Sequence, residues 1–295
     1  MNHIAWLSNK GVIKPPYKAQ ESVQYEVVGG STSYGMATDN SDLDLISWMI
    51  PSKGMIFPHL QGEVPGFGSQ HQRFEVFQNH HCPDPDGQPR TYDIQCYNIV
   101  KYFQLAMENN MNIIDTLFVP ANCVTFSTQL GDLVRSNRRL FLHKGSMHKA
   151  KGYAFSQLKK IEVKDPAEGS KRWELKEKYG FDVKFASHTC RLLLQAQQIL
   201  EEEDLDLQRN KEYLSSIRRG EVPLEDIKRF VFDKDAYLEK LYTESKLRHS
   251  PDEEAIKQLL LSVLESYYGS IDKAIVQPDQ YLHKLKKIKE LVEDI

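Results

Sequence analysis

At 295 residues, 40% of them hydrophobic, the chain is long enough for one large domain or two modest ones, each with a core of its own. No stretch reaches the roughly 18 apolar residues of a membrane-spanning helix, no apolar leader-like run opens the chain, and Cys82, Cys96, Cys123 and Cys190 form no Cys-x-x-Cys pair. Membrane proteins, disulfide frames and cysteine zinc sites are therefore set aside, and a cytoplasmic protein with reduced thiols is expected.

The net charge of −3 is unevenly spread. Residues 1–125 hold 7 Lys/Arg against 12 Asp/Glu, residues 126–192 hold 15 against 7, and residues 193–295 hold 16 against 22. An acidic block followed by a basic one suits metal ions on one side of a cleft and phosphates on the other. A solvated basic helix surface would give the same counts.

In chain order, Val23–Val28 is rich in β-formers and runs into Gly29-Gly30, and Leu43–Ile50 is a second apolar run closed by Pro51. Arg73–Gln78 and Thr91–Tyr97 alternate as strands do, with a loop of His, Pro, Asp and Gly over Asn79–Arg90 between them. Asn98–Asn109 has helical spacing through Ile99, Tyr102, Phe103 and Ala106, and Pro120 closes a shorter apolar segment. Beyond residue 125 the segments 146–162, 184–203, 223–246, 250–268 and 279–293 read as helices, with turns near Gly220 and over Gly269–Pro278. Ser250-Pro251 with Glu253 looks like a capped helix start. The expected fold is α+β: an N-terminal mixed sheet with flanking helices over 1–125, and a helical domain over 126–295.

The chemistry concentrates in Gly29-Gly30-Ser31-Thr32-Ser33-Tyr34-Gly35-Met36-Ala37-Thr38-Asp39-Asn40-Ser41-Asp42-Leu43-Asp44. Glycines after a strand let backbone N–H groups approach a phosphate, Ser31 adds a hydroxyl donor, and a helix starting nearby would add its dipole. Period-two alternation then puts Asp42 and Asp44 on one face of a strand and sends Leu43 and Leu45 inward. Such a pair offers hard oxygen ligands to Mg²⁺, and two ions so held can assist an in-line phosphoryl displacement. A third carboxylate is expected on a neighbouring strand. Asp93, which shares a face with Thr91, Gln95 and Tyr97, is the first choice and Glu75 the rival. A lone Asp-x-Asp is usually a plain turn or strand edge; the ordered combination is what is specific.

Gly30-Ser31 followed by Asp42-x-Asp44 resembles the signature of the polymerase-beta-like nucleotidyltransferases. With Tyr34-Gly35 and Ser41 included, it is similar to the branch associated with RNA repair in bacteria and phages. The likeness continues through Asp93, Asn112–Phe118 and Tyr179–Leu194, and covers roughly residues 25–220. The branch often has Arg-Gly just after the second Asp, where this chain has Ile46-Ser47. The resemblance implies an enzyme that moves NMP from an NTP to an acceptor hydroxyl and releases pyrophosphate. Asp42, Asp44 and Asp93 would bind two Mg²⁺, or Mn²⁺ in their place, and an RNA 3′ end, tRNA above all, would be the acceptor. A protein or small-molecule acceptor keeps the same chemistry. A catalytically silent nucleotide- or RNA-binding module is the rival from another class, against which the intact acidic set speaks.

On the segment from Lys184, the residues Lys184, His188, Arg191 and Gln195 fall within about 60° of one another on an otherwise apolar helix. A narrow basic stripe suits a cleft-lining helix with cations aimed at a triphosphate or RNA backbone. A buried helix with snorkelling cations or an internal salt bridge is the alternative. Segment 146–162 repeats the pattern, with Lys149, Tyr153, Ser156, Gln157 and Lys160 opposite Ala150, Ala154, Leu158 and Ile161; there Lys149 and Tyr153 are candidates to pair a phosphate and stack a base. His71, His80, His81 and Cys82 lack zinc-site spacing and read as incidental to a proline-rich loop. The sequence has no G-x-x-x-x-G-K-[ST] loop, which argues against a P-loop kinase. Asp115 reads as a structural residue that caps or pairs within a helix.

Overall fold

Val23–Val28 folds as strand β1 and Leu43–Met49 as β2, running antiparallel with Val28 opposite Leu45. The coordinates are a computed structural model that describes residues 1–38, 41–64, 66–68, 70, 73–163 and 168–269. Strands β3 (Val76–Pro83), β4 (Thr91–Asn98) and β5 (Val124–Ser127) complete a five-stranded sheet in the order β3-β4-β2-β1-β5. Only the β2–β4 pair is parallel, so the sheet is mixed, as expected. β5 straddles residue 125, where the sequence suggests a boundary, and carries the sheet on to Ser127.

The strand expected over Arg73–Gln78 lies further along. Val76 to Asn79 pair with Tyr97 to Ile94, a bulge takes up His80 and His81, and Cys82 resumes opposite Tyr92. β3 is an edge strand, where a bulge and a terminal proline interrupt a single ladder, the one with β4.

Four helices precede or punctuate the early strands: α1 (His3–Asn9), α2 (Gly30–Ser33), α3 (Lys53–Ile56) and α4 (Ile99–Met107). α5 (Met111–Phe118) and α6 (Gln129–Ser136) flank β5. The helical remainder comprises α7 (Gly145–Val163), α8 (Lys171–Tyr179), α9 (Val183–Glu202), α10 (Lys211–Arg218), α11 (Leu224–Glu244) and α12 (Glu253–Tyr268). The α12 cap is Asp252, which accepts from the Ala255 N–H, and not Ser250. The helix read over 279–293, and the turn before it past Gly269, lie outside the described residues. Among those described, no helix is long and apolar enough to cross a membrane.

Each face of the sheet has its own core. Leu45, Met49, Tyr92, Ile94 and Cys96 pack with Ile4 and Leu7 of α1 on one side. There Glu26, buried on β1, accepts from the N–H groups of His3 and Ile4 and from the Thr125 hydroxyl, tying α1 to the sheet. On the other side Tyr25, Val27, Trp48 and Ile50 open a larger core that runs without interruption through α4, α5, α7, α9, α10, α11 and α12.

One polar cluster crosses that larger core. Asp115 of α5 accepts from Arg191 Nη1 of α9 (2.6 Å), from Gln195 Nε2 (2.8 Å) and from the Tyr34 hydroxyl. Arg191 also donates to the Tyr34 oxygen, and its guanidinium lies 4.2 Å from the Tyr34 ring centroid. Arg191 is 5% exposed. This corrects its assignment as a nucleotide-facing cation, because Nη1 is committed to a buried carboxylate, a phenol and an amide, and the side chain is sealed in the core. Asp115 does pair, but between elements. Gln157, placed on the outward side of its helix, is buried; Ala150, Ala154, Leu158 and Ile161 are buried as expected.

Removing one partner of a buried pair strands the other charge. Arg191→Met is therefore expected to lose about 3–5 kcal/mol of stability by urea unfolding, with part regained in the Asp115→Leu, Arg191→Met double variant. A single variant within about 0.5 kcal/mol of the parent would mean that the pair holds nothing together.

Candidate active site

The parallel register of β2 and β4 sets Asp44 directly beside Asp93, and alternation turns both to the same face. Their neighbours Leu43, Leu45, Tyr92 and Ile94 go into the α1-side core, as the sequence predicts. Asp42 stands just before β2, where its Oδ1 accepts from the Thr91 hydroxyl at the start of β4 (2.7 Å). Glu75 is 58% exposed by side chain and pairs with Lys101 (3.0 Å), so the register favours Asp93 as the carboxylate next to Asp44.

Gly30 makes room for this arrangement. It has φ +56, and a Cβ built there would lie 1.7 Å from Asp44 Oδ2. The Gly29 N–H donates to the Asp44 carbonyl (2.8 Å), binding the loop to β2. The glycine thus serves the carboxylate as well as any phosphate. α2 is a single turn, too short to supply the expected dipole. Ser31 is half-buried on that turn, and its carbonyl accepts from the Met36 N–H.

Crowding sets the electrostatics. Burial first, then the charges of Asp93 and Asp42, push the Asp44 carboxyl up to about 6, while His80 pulls the other way. His80 comes from the β3 bulge, which also brings in His81. His80 Nδ1 is 3.7 Å and His81 Nδ1 3.8 Å from the Asp93 carboxylate, which accepts from the His81 N–H (2.7 Å). His81 holds φ +54, a left-handed conformation, to do this. The two histidines that sequence spacing dismisses are thus neighbours of the site; a bulge rather than a ligand spacing brings them there. His71 lies outside the described residues.

Among the described residues, no group of three or more His, Cys, Asp or Glu is gathered tightly enough to hold a metal ion. The donor chemistry nonetheless fits a hard divalent cation, with carboxylate oxygens on two adjacent strands and one carboxylate disfavoured by burial and by its neighbours' charge.

The basic stripe of α9 runs from solvent into the core. Lys184 is exposed on the first turn, His188 is half-buried with its ring edge-on to Tyr153 (5.0 Å), and Arg191 and Gln195 are sealed. On α7, Lys149 lies 4.0 Å from Glu108, and Tyr153 remains 38% exposed. The stripe does meet the motif, through Tyr34, but as scaffold at its inner end.

The family described as "RNA repair pathway DNA polymerase beta family" matches residues 15–262. No curated protein matches the chain. A solved nucleotidyltransferase-like protein from Exiguobacterium sibiricum 255-15 is 11% identical, over 82% of this chain and 75% of that one. Its TM-score of 0.29 is too low to carry an argument.

The raised Asp44 carboxyl has a consequence for stability. An acid whose folded pKa lies above its unfolded value of 3.8 is at no disadvantage below that value, and its destabilisation grows as pH rises from about 4 to about 6 and is constant above. Asp44→Asn should therefore stabilise the metal-free chain at pH 7.5 by on the order of 2–3 kcal/mol and leave it unchanged near pH 4. Denaturant unfolding at the two pH values measures this; equal stability at pH 7.5 would refute the crowding.

Proposed function

This chain belongs to the RNA repair pathway DNA polymerase beta family and is a polymerase-beta-like nucleotidyltransferase, and on that premise we propose that it transfers NMP from an NTP to the 3′ hydroxyl of an RNA, tRNA above all. The observation that carries the reading is the alignment of Asp44 with Asp93, and of Asp42 beside them, at one end of the parallel strand pair. Neighbouring carboxylates, one of them buried and raised by the charges of the other two, are costly unless their charge is used.

Asp42, Asp44 and Asp93 would hold two Mg²⁺, or Mn²⁺ in their place. Bound there, such ions would activate the attacking hydroxyl and neutralise the leaving pyrophosphate. The remaining work belongs to the chain. Asp93 Oδ accepts the proton of the acceptor hydroxyl as the new bond to the α-phosphorus forms and the bond to the bridging oxygen breaks. His80 and His81 sit against that carboxylate and orient it. Gly30 and Ser31 cradle the phosphates with backbone N–H and hydroxyl groups. Lys184, His188, Lys149 and Tyr153 present cations and a ring to the nucleotide or the RNA, and Arg191 acts at one remove by fixing Tyr34. In this reading residues 1–125 carry the catalytic groups, and the helical part from 126 completes the cleft.

Incubation with each labelled NTP, Mg²⁺ and total cellular RNA, followed by gel separation and sequencing, tests the proposal. Label is expected at RNA 3′ ends. Label on protein alone would keep the chemistry and change the acceptor. Asp42→Asn and Asp44→Asn should each lower labelling by at least about 100-fold, and Asp93→Ala should block it while some nucleotide still binds. Full activity in the double Asn variant sinks the assignment, and an inactive Glu75→Ala beside an active Asp93→Ala moves the third carboxylate to the other strand.

A further inference from the structure

With Arg191 paired to Asp115, a guanidinium for a nucleotide's phosphates beside the motif loop must come from another residue. α10 lies along that loop. A Cβ on Gly35 would sit 3.1 Å from Lys211 Cδ and 3.4 Å from Gln208, and Gln208 Nε2 donates to the Ser33 carbonyl (3.3 Å). The other side of α10 is held to α9, where the Ser187 hydroxyl donates to the Leu214 carbonyl (3.2 Å). Lys211 and Arg218 are seven residues apart, so they fall on one side of the helix, about 10 Å from one another along its axis.

Arg218 is the odd member of this region. It is only partly exposed, and its Nε is buried with no hydrogen-bond partner. Among the described residues no carboxylate comes within ion-pair distance of it. Burial, and then the charge of Arg191, disfavour its cationic form. Arginine does not escape that cost by losing its proton. The C-terminal dipole of α10 favours a cation here but satisfies no buried N–H. Asp115 pairs with Arg191 and not with Arg218, so among the described residues this second guanidinium has no opposing carboxylate at ion-pair distance.

We propose that Arg218 is the guanidinium that binds the phosphates of the nucleotide, the task the sequence assigns to Arg191. The inference rests on the nucleotidyltransferase reading for the identity of its ligand, an NTP triphosphate. The planar fork and fixed charge of arginine suit that anion, and Lys211 extends the positive side of α10 towards Gly35.

The test is calorimetric titration of the full chain and of Arg218→Ala with inorganic tripolyphosphate and with ATP, beside thermal unfolding of each protein without ligand. Both affinities should fall by on the order of tenfold to a hundredfold in the variant, and wild-type binding should weaken as salt rises. The unliganded unfolding midpoint should stay or rise, because an unpaired cation has been removed. Equal affinities, or a wild-type chain that does not bind tripolyphosphate, overturn the proposal. A lowered unfolding midpoint marks a structural arginine and overturns it too. The readout is binding, so it separates from catalysis: labelling that survives Asp44→Asn sinks the transfer reading and leaves the Arg218 result standing.

Discussion

The buried contact among Asp115, Arg191, Tyr34 and Gln195 is the constraint on which the rest of the molecule depends. It joins the loop after β1, the helix α5 and the helix α9 at one point inside the larger core. A lone carboxylate or guanidinium at that depth would be prohibitive, and each is acceptable because the other, a phenol and an amide complete its hydrogen bonding. Hydrophobic packing would bring α9 to the sheet in many registers. A directional ion pair selects one, and so fixes where Gly30 and Ser31 stand relative to the helices.

Around that fixed point the sheet does the opposite with charge. Asp44 and Asp93 are neighbours because β2 and β4 pair in parallel, and their repulsion is tolerated because it is local and the strands continue into well-packed apolar residues. Gly30 lets the loop close against the Asp44 carboxylate where any side chain would collide with it. The molecule therefore spends stability at one end of the sheet and recovers it in the core behind, as expected where a site needs charge that a fold does not.

Much of this was legible in the sequence, for reasons that differ by element. β1 and β2 announce themselves as apolar runs rich in β-formers and β4 by its alternation, and the period of two gives the shared face of Asp44 and Asp93. The inner faces of α7 and α9 follow from the helical period, including the burial of Ala150, Ala154, Cys190 and Leu193. Periodicity fails where a partner decides. It groups Arg191 with Lys184 correctly, yet says nothing about a carboxylate 76 residues away that closes on one and not the other. Nor does it give the bulge that carries His80 and His81 to Asp93, since a bulge is an interruption of the period, stabilised by the strand opposite. β5 and α10 are short enough that their own residues hardly specify them, and both are held by the neighbours they pack on.

The reach of these contacts along the chain bears on how the protein is made. Tyr34 is 81 residues from Asp115 and 157 from Arg191, so the loop that carries Gly30 and Ser31 is settled by a residue synthesised long after it. Closing loops of that size costs entropy before the contact returns anything, and makes the arrangement a late event in folding. A nascent chain that has released β1 to β5 already owns Asp42, Asp44 and Asp93, but the helix that anchors the loop beside them is still in the ribosome. The acidic cluster is thus assembled early and positioned last, and a half-made chain carries its acids without the clamp that orders their loop.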